Sequence, residues 1–208
     1  MKTVIFLGDS ITDAGRSREN ETRTGFGYPT LVRGEIGFDY PEQYIFYNRG
    51  TCGDRVVDLY ARIKNDVINM KPDILSILIG VNDAWIDIYK QNGVSADKYF
   101  KIYDMLIEEI KEALPEIKIM IMEPFTLKTA EVEDHWEELQ SEVHKRAEKA
   151  KEIAEKYQLP FIALQEKFDE AAKFTPNNYW LKDGVHPSTA GHELIKREWI
   201  IAFKKIID

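Results

Sequence analysis

A serine lies directly after the first apolar run of the chain, in the sequence Gly8-Asp9-Ser10. If that run is a strand of a parallel sheet, Ser10 stands at its carboxyl end, where α/β proteins collect their functional side chains. A serine hydroxyl in that position becomes a nucleophile once a base takes its proton. The same three residues also make a good turn and helix cap, so on their own they favour a cap.

An acid and an imidazole stand close together near the other end of the chain, as Asp183 and His186. One turn of chain can bring the carboxylate to one ring nitrogen of His186, which leaves the other ring nitrogen facing a hydroxyl. This is the arrangement that activates a nucleophilic serine. The alternative is a loop in which Asp183 caps a helix that begins at Pro187, and these residues alone do not decide between the two.

Two further loops supply hydrogen-bond donors of the kind that acyl transfer requires. Gly53 follows the second apolar run, and Asn82 follows the third. Gly53 lacks a Cβ, so its backbone N–H can be approached closely, and Asn82 offers an amide group. With the N–H of Ser10 they predict three donors aimed at the oxygen that becomes negative in a tetrahedral intermediate. Four such sites, each after the appropriate element, favour a serine hydrolase over four unrelated turns and caps.

These residues must be positioned by short apolar, β-branched runs that alternate with helical stretches. The runs are apolar on both faces, which is typical of a parallel sheet covered by helices on two sides. The predicted strands are residues 3–7, 44–47, 74–79, 117–122 and 161–164. The predicted helices are residues 28–37, 56–69, 96–114, 132–157, 166–174 and 187–207, and the stretches 8–27 and 175–185 are predicted to be loops. The pattern predicts a single domain, residues 1–208, of the three-layer α/β/α class.

Composition excludes several classes of partner. The chain of 208 residues has 28 basic and 36 acidic side chains and a formal net charge of −8, without a basic block, so neither nucleic acid nor an anionic membrane is expected to bind it. No apolar stretch approaches the ~20 residues of a membrane span. The N-terminal residues lack the apolar stretch and cleavage site of a secretory signal, which predicts a cytoplasmic protein. The single cysteine rules out an intrachain disulfide.

Taken together, the four blocks resemble those of the SGNH hydrolase superfamily, also called the GDSL esterases and lipases. The blocks are Gly8-Asp9-Ser10-Ile11-Thr12-Asp13, Gly53-Asp54, Gly80-Val81-Asn82-Asp83 and Asp183-Gly184-Val185-His186-Pro187. The resemblance implies a flavodoxin-like fold with a five-stranded parallel sheet in the order 2-1-3-4-5. It also implies an esterase with no metal and no cofactor, in which Ser10, Asp183 and His186 form the triad. Ser10, Gly53 and Asn82 would then form the oxyanion hole.

Further details resemble the intracellular carbohydrate acetylesterases that act on xylan-derived oligosaccharides. They are Asp13-Ala14-Gly15-Arg16, Gly27-Tyr28, Asn82-Asp83-Ala84-Trp85, Pro124-Phe125, and His186-Pro187-Ser188 with Ala190-Gly191-His192. This likeness implies an acetyl ester of a carbohydrate, such as a xylo-oligosaccharide, as substrate. Simple acyl esterases and lysophospholipid hydrolases share most of these features. A lysophospholipase or a thioesterase stays open as an alternative, as does a non-catalytic glycan-binding relative. The polar loops, which contain Arg16, Arg18 and Arg23, favour a hydrophilic alcohol and a short acyl group.

Three aromatic residues near these loops are candidates for substrate contact. They are Trp85, Phe125 and Trp180. Aromatic rings often stack on sugars, but packing in the core is at least as common a use. Where such residues are exposed, they also favour a homo-oligomer.

Other polar residues near the motifs are expected to support the structure. Asp9 and Asp13 are expected to cap or brace the loop after the first strand. Arg55 is expected to form a salt bridge, and His192 to be structural. Cys52 is expected to be a small buried filler. No cluster of Cys, His and Asp has the spacing of a zinc site.

Overall fold

The computed structural model describes residues 1–207, and its five strands form one parallel sheet in the order β2-β1-β3-β4-β5. The strands are β1 (Lys2–Gly8), β2 (Tyr44–Gly50), β3 (Ile74–Leu78), β4 (Lys118–Met122) and β5 (Phe161–Ile162). The predicted α/β class, the number of strands and the sheet order are confirmed. Strand β2 continues to Gly50, beyond its predicted end, because it stays paired with β1 as far as Gly8.

Helices follow the strands, with bounds close to those predicted in most cases. They are α1 (Ser10–Asp13), α2 (Tyr28–Asp39), α3 (Val56–Asp66), α4 (Val81–Lys90), α5 (Ala96–Ala113), α6 (Trp136–Lys156), α7 (Gln165–Ala172), α8 (Asn177–Trp180) and α9 (Thr189–Ile207). Short 3₁₀ segments cover Ile68–Met70 and Ala130–His135.

Three helices were not predicted, and two predicted helices begin at other residues. The sequence does not predict α4, which begins inside a block interpreted as a loop. The two stretches predicted to be loops contain the one-turn helices α1 and α8. The helix predicted over residues 132–157 begins only at Trp136, after a 3₁₀ segment. Helix α9 starts at Thr189 rather than at residue 187, because Pro187 instead forms an isolated bridge with Leu181.

The core lies on both faces of the sheet. Alternate residues of β1 point to opposite faces, so that Val4 and Phe6 pack into one apolar cluster while Ile5 and Leu7 pack into another. The first cluster includes buried side chains of α2 and α9, and the second those of α3 and α5. This two-sided burial explains why β1, β3 and β4 carry apolar residues on both faces.

The carboxyl ends of the three central strands meet at one edge. Gly8 at the end of β1 pairs in register with Gly50 on one side and Leu78 on the other. A Cβ at Gly8 would lie 2.4 Å from the Leu78 carbonyl oxygen and 2.4 Å from Thr12 Oγ1, so only glycine fits there. The loops that carry Ser10, Gly53 and Asn82 therefore leave the sheet side by side.

Candidate active site

Ser10 is the first residue of the one-turn helix α1. Asp9 caps this helix: its Oδ1 accepts the Ile11 N–H at 2.9 Å. The helix ends at Ala14, whose backbone is left-handed (φ 40°). A serine at the first helical position directs its N–H outward, because the first amide groups of a helix have no partner within the helix.

Asn48 on β2 holds the loop that follows this helix. Its Nδ2 donates to the carbonyl oxygens of Thr12 and Thr24, at 2.6 and 2.8 Å. Asp13 forms an ion pair with Arg18 and so closes the same loop from the other side. The bracing roles expected of Asp9 and Asp13 are confirmed. The role of Asn48 was not predicted, because only its place at a strand end is visible in the sequence.

The structure brings Ser10, His186 and Asp183 into one chain of hydrogen bonds. Ser10 Oγ lies 2.9 Å from His186 Nε2, and His186 Nδ1 lies 2.7 Å from Asp183 Oδ2. An ionised carboxylate only accepts, so Nδ1 carries the proton and donates it to Asp183. Nε2 is then the acceptor, and the Ser10 hydroxyl donates to it.

The protonation states suit this direction of transfer. Partial burial would raise the pKa of Asp183, but the His186 ring and the N–H groups of His186 and Val185 outweigh it and lower this pKa to about 2. Asp183 therefore stays ionised in ordinary buffers. The hydrogen bond to Asp183 raises the pKa of His186 above 6.5, against the opposing effect of partial burial. The imidazole is thus a stronger base than free histidine.

The loop after β4 positions the Asp183–His186 turn. Thr126 Oγ1 donates to the carbonyl oxygen of Gly184 at 2.6 Å, and the Leu127 N–H donates to the same oxygen at 3.0 Å. Within the turn, the Asp183 carboxylate also accepts the His186 N–H at 2.7 Å. The sequence did not identify Thr126, because its partner lies 58 residues away along the chain.

Three N–H donors lie on the loop that carries Ser10 and on the loops that leave the sheet next to it. Within residues 1–207 the backbone N–H groups of Ser10 and Gly53 have no acceptor. Asn82, the second residue of α4, donates from Nδ2 to the Asp54 carbonyl oxygen at 3.0 Å, and its second amide hydrogen remains available. This geometry can bind a negatively charged oxygen.

The reason for glycine at position 53 differs from the expected one. A Cβ there would meet no atom within 4 Å, so close approach does not require glycine. The backbone does require it, because φ is +83°. This conformation turns the chain immediately after β2, and the Gly53 N–H has no backbone acceptor within residues 1–207.

Buried carboxyls lie behind the site. Asp83 on α4 is fully buried and accepts the Val56 N–H with both oxygens, at 3.1 and 3.2 Å, which links the loops after β2 and β3. Burial raises the pKa of Asp83 to about 7. Burial likewise raises the pKa of Asp9 to about 7, against the lowering effect of the Ile11 N–H. Within the described chain, Asp9 Oδ2 has no hydrogen-bond partner.

Ser10 opens into a pocket of about 270 Å³, here called the serine pocket. It is lined by Ser10, Ile11, Ala14, Phe26, Lys182, His186, Pro187, Thr189 and His192. Phe26 and Lys182 stand at its wall, and the sequence identified neither as a substrate contact. His192 accepts the Tyr28 N–H at Nδ1, 3.2 Å away, and burial lowers its pKa to about 4, so it is neutral and structural as predicted.

The predicted substrate-contact aromatics do not line the serine pocket. Phe125 is fully buried and stacks on Phe168 at 4.5 Å, so that prediction is wrong: its side chain turns into the core. Trp180 lines a separate surface pocket with Ala190 and Arg197 among its other lining residues. Trp85 lies one turn beyond Asn82 on α4, and its ring contacts that of Tyr89 in a tilted arrangement, with the ring centroids 4.4 Å apart.

Two further expectations have clear outcomes. Cys52 is exposed rather than buried, so the prediction of a buried filler is wrong; its backbone N–H donates to Asp13 while its side chain faces outward. Arg55 forms the expected salt bridge, to Asp58 at 2.9 Å. Across residues 1–207 no group of three or more His, Cys, Asp or Glu side chains could hold a metal ion.

This sheet, with a serine, an imidazole and a carboxylate at the carboxyl ends of its strands, defines a carboxylic ester hydrolase of the SGNH type. The chain belongs to the GDSL-like Lipase/Acylhydrolase family, whose family model matches residues 6–194. It is 35% identical over 207 residues to an acetylxylan esterase of Geobacillus stearothermophilus, covering 95% of this chain and 91% of that protein.

Solved structures agree with this assignment. A putative GDSL-like lipase from Parabacteroides merdae has a TM-score of 0.91 at 34% identity, covering 97% of this chain and 94% of the other. Axe2, an acetylxylan esterase from Geobacillus stearothermophilus, has a TM-score of 0.86 at 33% identity, covering 97% and 93%. In two structures of Axe2, a serine or a histidine is replaced by alanine, and each is described as a catalytic mutant.

Proposed function

We propose that this esterase removes acetyl groups from carbohydrates such as xylo-oligosaccharides through an acyl-enzyme on Ser10. The observation that carries the proposal is the unbroken chain of hydrogen bonds from Ser10 through His186 to Asp183, at 2.9 and 2.7 Å. The loops after β2 and β3 carry the Gly53 N–H and the Asn82 amide, which we assign to the oxyanion. The activated nucleophile is available without rearrangement.

The roles of the side chains follow from this geometry. His186 takes the Ser10 proton through Nε2 as the hydroxyl attacks the ester carbonyl, and Asp183 stabilises the resulting imidazolium. The Ser10 and Gly53 N–H groups and the Asn82 amide hold the negative oxygen. His186 then gives its proton to the leaving alcohol. Water attacks the acyl-enzyme with His186 again as the base, which releases acetate.

Two observations support an acetyl group on a sugar. The serine pocket, at about 270 Å³, is small and has a partly polar lining that includes Lys182 and Thr189, whereas a long acyl chain needs an extended apolar groove. The related protein of Geobacillus stearothermophilus is an acetylxylan esterase, and variants of Axe2 are called acetyl-xylooligosaccharide esterases. A lysophospholipase or a thioesterase for long acyl chains would share the triad but would need such a groove.

Acetate release from acetylated xylo-oligosaccharides tests the proposal, with the Ser10→Ala variant as the control. A series of p-nitrophenyl esters of increasing chain length is measured in parallel. We expect acetate to be the best acyl group and the Ser10→Ala variant to be inactive but folded. Activity that peaks at octanoate or longer would favour the lysophospholipase alternative. A serine that fails to react with a fluorophosphonate probe would favour a non-catalytic glycan-binding protein.

Three broader predictions remain part of this proposal. They are a single domain over residues 1–208, a cytoplasmic location and a homo-oligomer. No helix within residues 1–207 is both long and apolar enough to cross a membrane. Light scattering of the purified chain would measure whether it self-associates.

A further inference from the structure

A second pocket adjoins the serine pocket and shares one wall with it. This second pocket, here called the loop pocket, has a volume of about 550 Å³ and lies between the loop after α1 and the start of α2. Its polar lining includes Ser17, Asn20, Arg23, Thr30 and Arg33. Phe26 lines both pockets and so forms the ridge between them.

The backbone of Phe26 is hydrogen-bonded, and its ring is exposed. Its side chain is 86% exposed, while its N–H donates to the Ala14 carbonyl oxygen at 2.8 Å. On the inner side the ring lies against Gly15, where a Cβ would come within 3.1 Å of it. A single exposed phenylalanine is common on protein surfaces. A ring between two pockets, however, offers an aromatic face of the kind on which the C–H groups of a sugar ring stack.

The loop pocket also carries positive charge without a carboxylate partner. Within residues 1–207 the Arg23 side chain forms neither an ion pair nor a hydrogen bond, and Arg33 donates only to the Thr22 carbonyl oxygen. Neighbouring arginines are satisfied: Arg18 pairs with Asp13, and Arg49 pairs with Glu21. In a chain of net charge −8, carboxylates are abundant, so guanidinium groups left free in a pocket point to an anionic ligand.

We propose that the loop pocket binds a carboxylate-bearing sugar of the substrate's alcohol portion while the acetylated sugar lies at Ser10. The oligosaccharide crosses Phe26, which stacks on a sugar ring, and Arg23 and Arg33 receive the carboxylate. The preferred substrate class is therefore an acetylated oligosaccharide that carries a uronic acid. This inference rests on the proposed function, because it assigns the alcohol side of that same site.

The first experiment compares kcat/KM on three substrates. They are p-nitrophenyl acetate, a neutral acetylated xylo-oligosaccharide, and an acetylated xylo-oligosaccharide with a uronic acid substituent. We expect the acidic oligosaccharide to be preferred over the neutral one by ~10-fold at low salt, and the preference to shrink in 1 M salt. Arg23→Gln should abolish most of this preference. Lys205→Gln is the matched control, because Lys205 lies near the C-terminal end of α9, whereas the serine pocket contacts the N-terminal end of that helix. This variant should leave the preference unchanged.

Phe26 is tested by the ratio of kcat/KM on the neutral oligosaccharide to that on p-nitrophenyl acetate. Phe26→Ala should lower this ratio by ~10-fold, because only the oligosaccharide has a sugar ring to stack on Phe26. Phe38→Ala is the matched control, since Phe38 is 87% exposed but stands near the other end of α2. An unchanged ratio in Phe26→Ala, or equal preference for the acidic substrate in Arg23→Gln and the native chain, would overturn the inference.

A binding measurement separates this inference from the proposed function. Calorimetry of the Ser10→Ala variant with an unacetylated, uronic-acid-substituted xylo-oligosaccharide needs no turnover. Binding that is weakened ~10-fold by Arg23→Gln would support the loop pocket even if no sugar ester were hydrolysed. If sugar esters are hydrolysed but the acidic oligosaccharide binds no better than the neutral one, the loop-pocket proposal fails and the proposed function stands.

Discussion

Arg62 holds Asp54 in the turn that carries the Gly53 N–H. Its Nε donates to Asp54 Oδ2 at 2.7 Å, and the same guanidinium donates to the Gly8 carbonyl oxygen at 3.2 Å. The backbone carbonyl of Asp54 in turn accepts from Asn82 Nδ2 at 3.0 Å. One side chain of α3 therefore ties together the end of β1 and the turn after β2, and through that turn the Asn82 amide.

Replacing Arg62 should slow the reaction without weakening substrate binding. Arg62→Leu leaves the turn at Gly53 free to shift, and a displacement of about 1 Å in such a site costs on the order of 100-fold in rate. We expect kcat on p-nitrophenyl acetate to fall by ~10–100-fold with KM nearly constant. Arg197→Leu, which breaks only an exposed pair with Glu193, is the control. A rise in KM with constant kcat would show that Arg62 acts on binding instead.

Asn82→Ala removes one donor from the proposed oxyanion site. The variant should keep the fold, because the lost bond to Asp54 O is partly exposed, and should lower kcat by ~10²–10³-fold. Steady-state kinetics on acetyl esters measure this loss. A variant with unaltered kcat would remove the Asn82 amide from the mechanism.

Replacement by alanine should change the free energy of unfolding in opposite directions at Gly53 and Gly37, although both have open space for a Cβ. A Cβ meets no atom within 4 Å at either Gly53 or Gly37, but Gly53 has φ +83° whereas Gly37 lies inside helix α2. Gly53→Ala should lower the free energy of unfolding by ~1–2 kcal/mol and reduce kcat. Gly37→Ala should raise the free energy of unfolding by ~0.5–1 kcal/mol and leave kcat alone. Urea denaturation of both variants checks the signs, and equal changes would contradict the argument.

The residues at strand ends were predictable because their positions follow from chain order alone. Ser10, Gly53 and Asn82 each come after an apolar run, and parallel strands end at one edge of the sheet. Helix α4 was missed because the block that contains Asn82 has the glycine and polar residues of a loop. Phe125 was misplaced because a residue just past a strand can face either the pocket or the core, and the sequence period does not decide which.

The supporting contacts were not predictable, because they join distant parts of the chain. Thr126 reaches Gly184, and Arg62 reaches Gly8, across more than fifty residues in each case. No spacing pattern records such pairs. Phe26 gave no signal either, since an aromatic residue in a polar loop acquires meaning only when its two neighbouring pockets are seen.

The pH dependence of kcat/KM should report His186. Protonated His186 cannot accept the Ser10 proton, so activity should fall on acidification through the pKa of His186, which the hydrogen bond to Asp183 holds above 6.5. Asp183→Asn removes that support: the acidic limb should move to lower pH, and kcat should fall by up to ~10⁴-fold. A pH–rate profile of both chains measures this. An acidic limb that does not move in Asp183→Asn would mean that another group controls it.

Asp9 should make the fold less stable as the pH rises. Burial raises its pKa from 3.8 to about 7, so between these values the native chain holds a proton that the unfolded chain has lost. By linkage, the stability that comes from the protonated form is complete below pH 3.8 and is lost as the pH approaches 7.

Asp9→Asn keeps the oxygen that accepts the Ile11 N–H but cannot ionise. Its free energy of unfolding relative to the native chain should therefore rise by about 1–4 kcal/mol between pH 4 and 7. Urea denaturation across this range tests the claim, with exposed Asp134→Asn as the control for loss of a charge. A difference that stays constant with pH would show that the Asp9 carboxyl is ionised in the folded protein throughout.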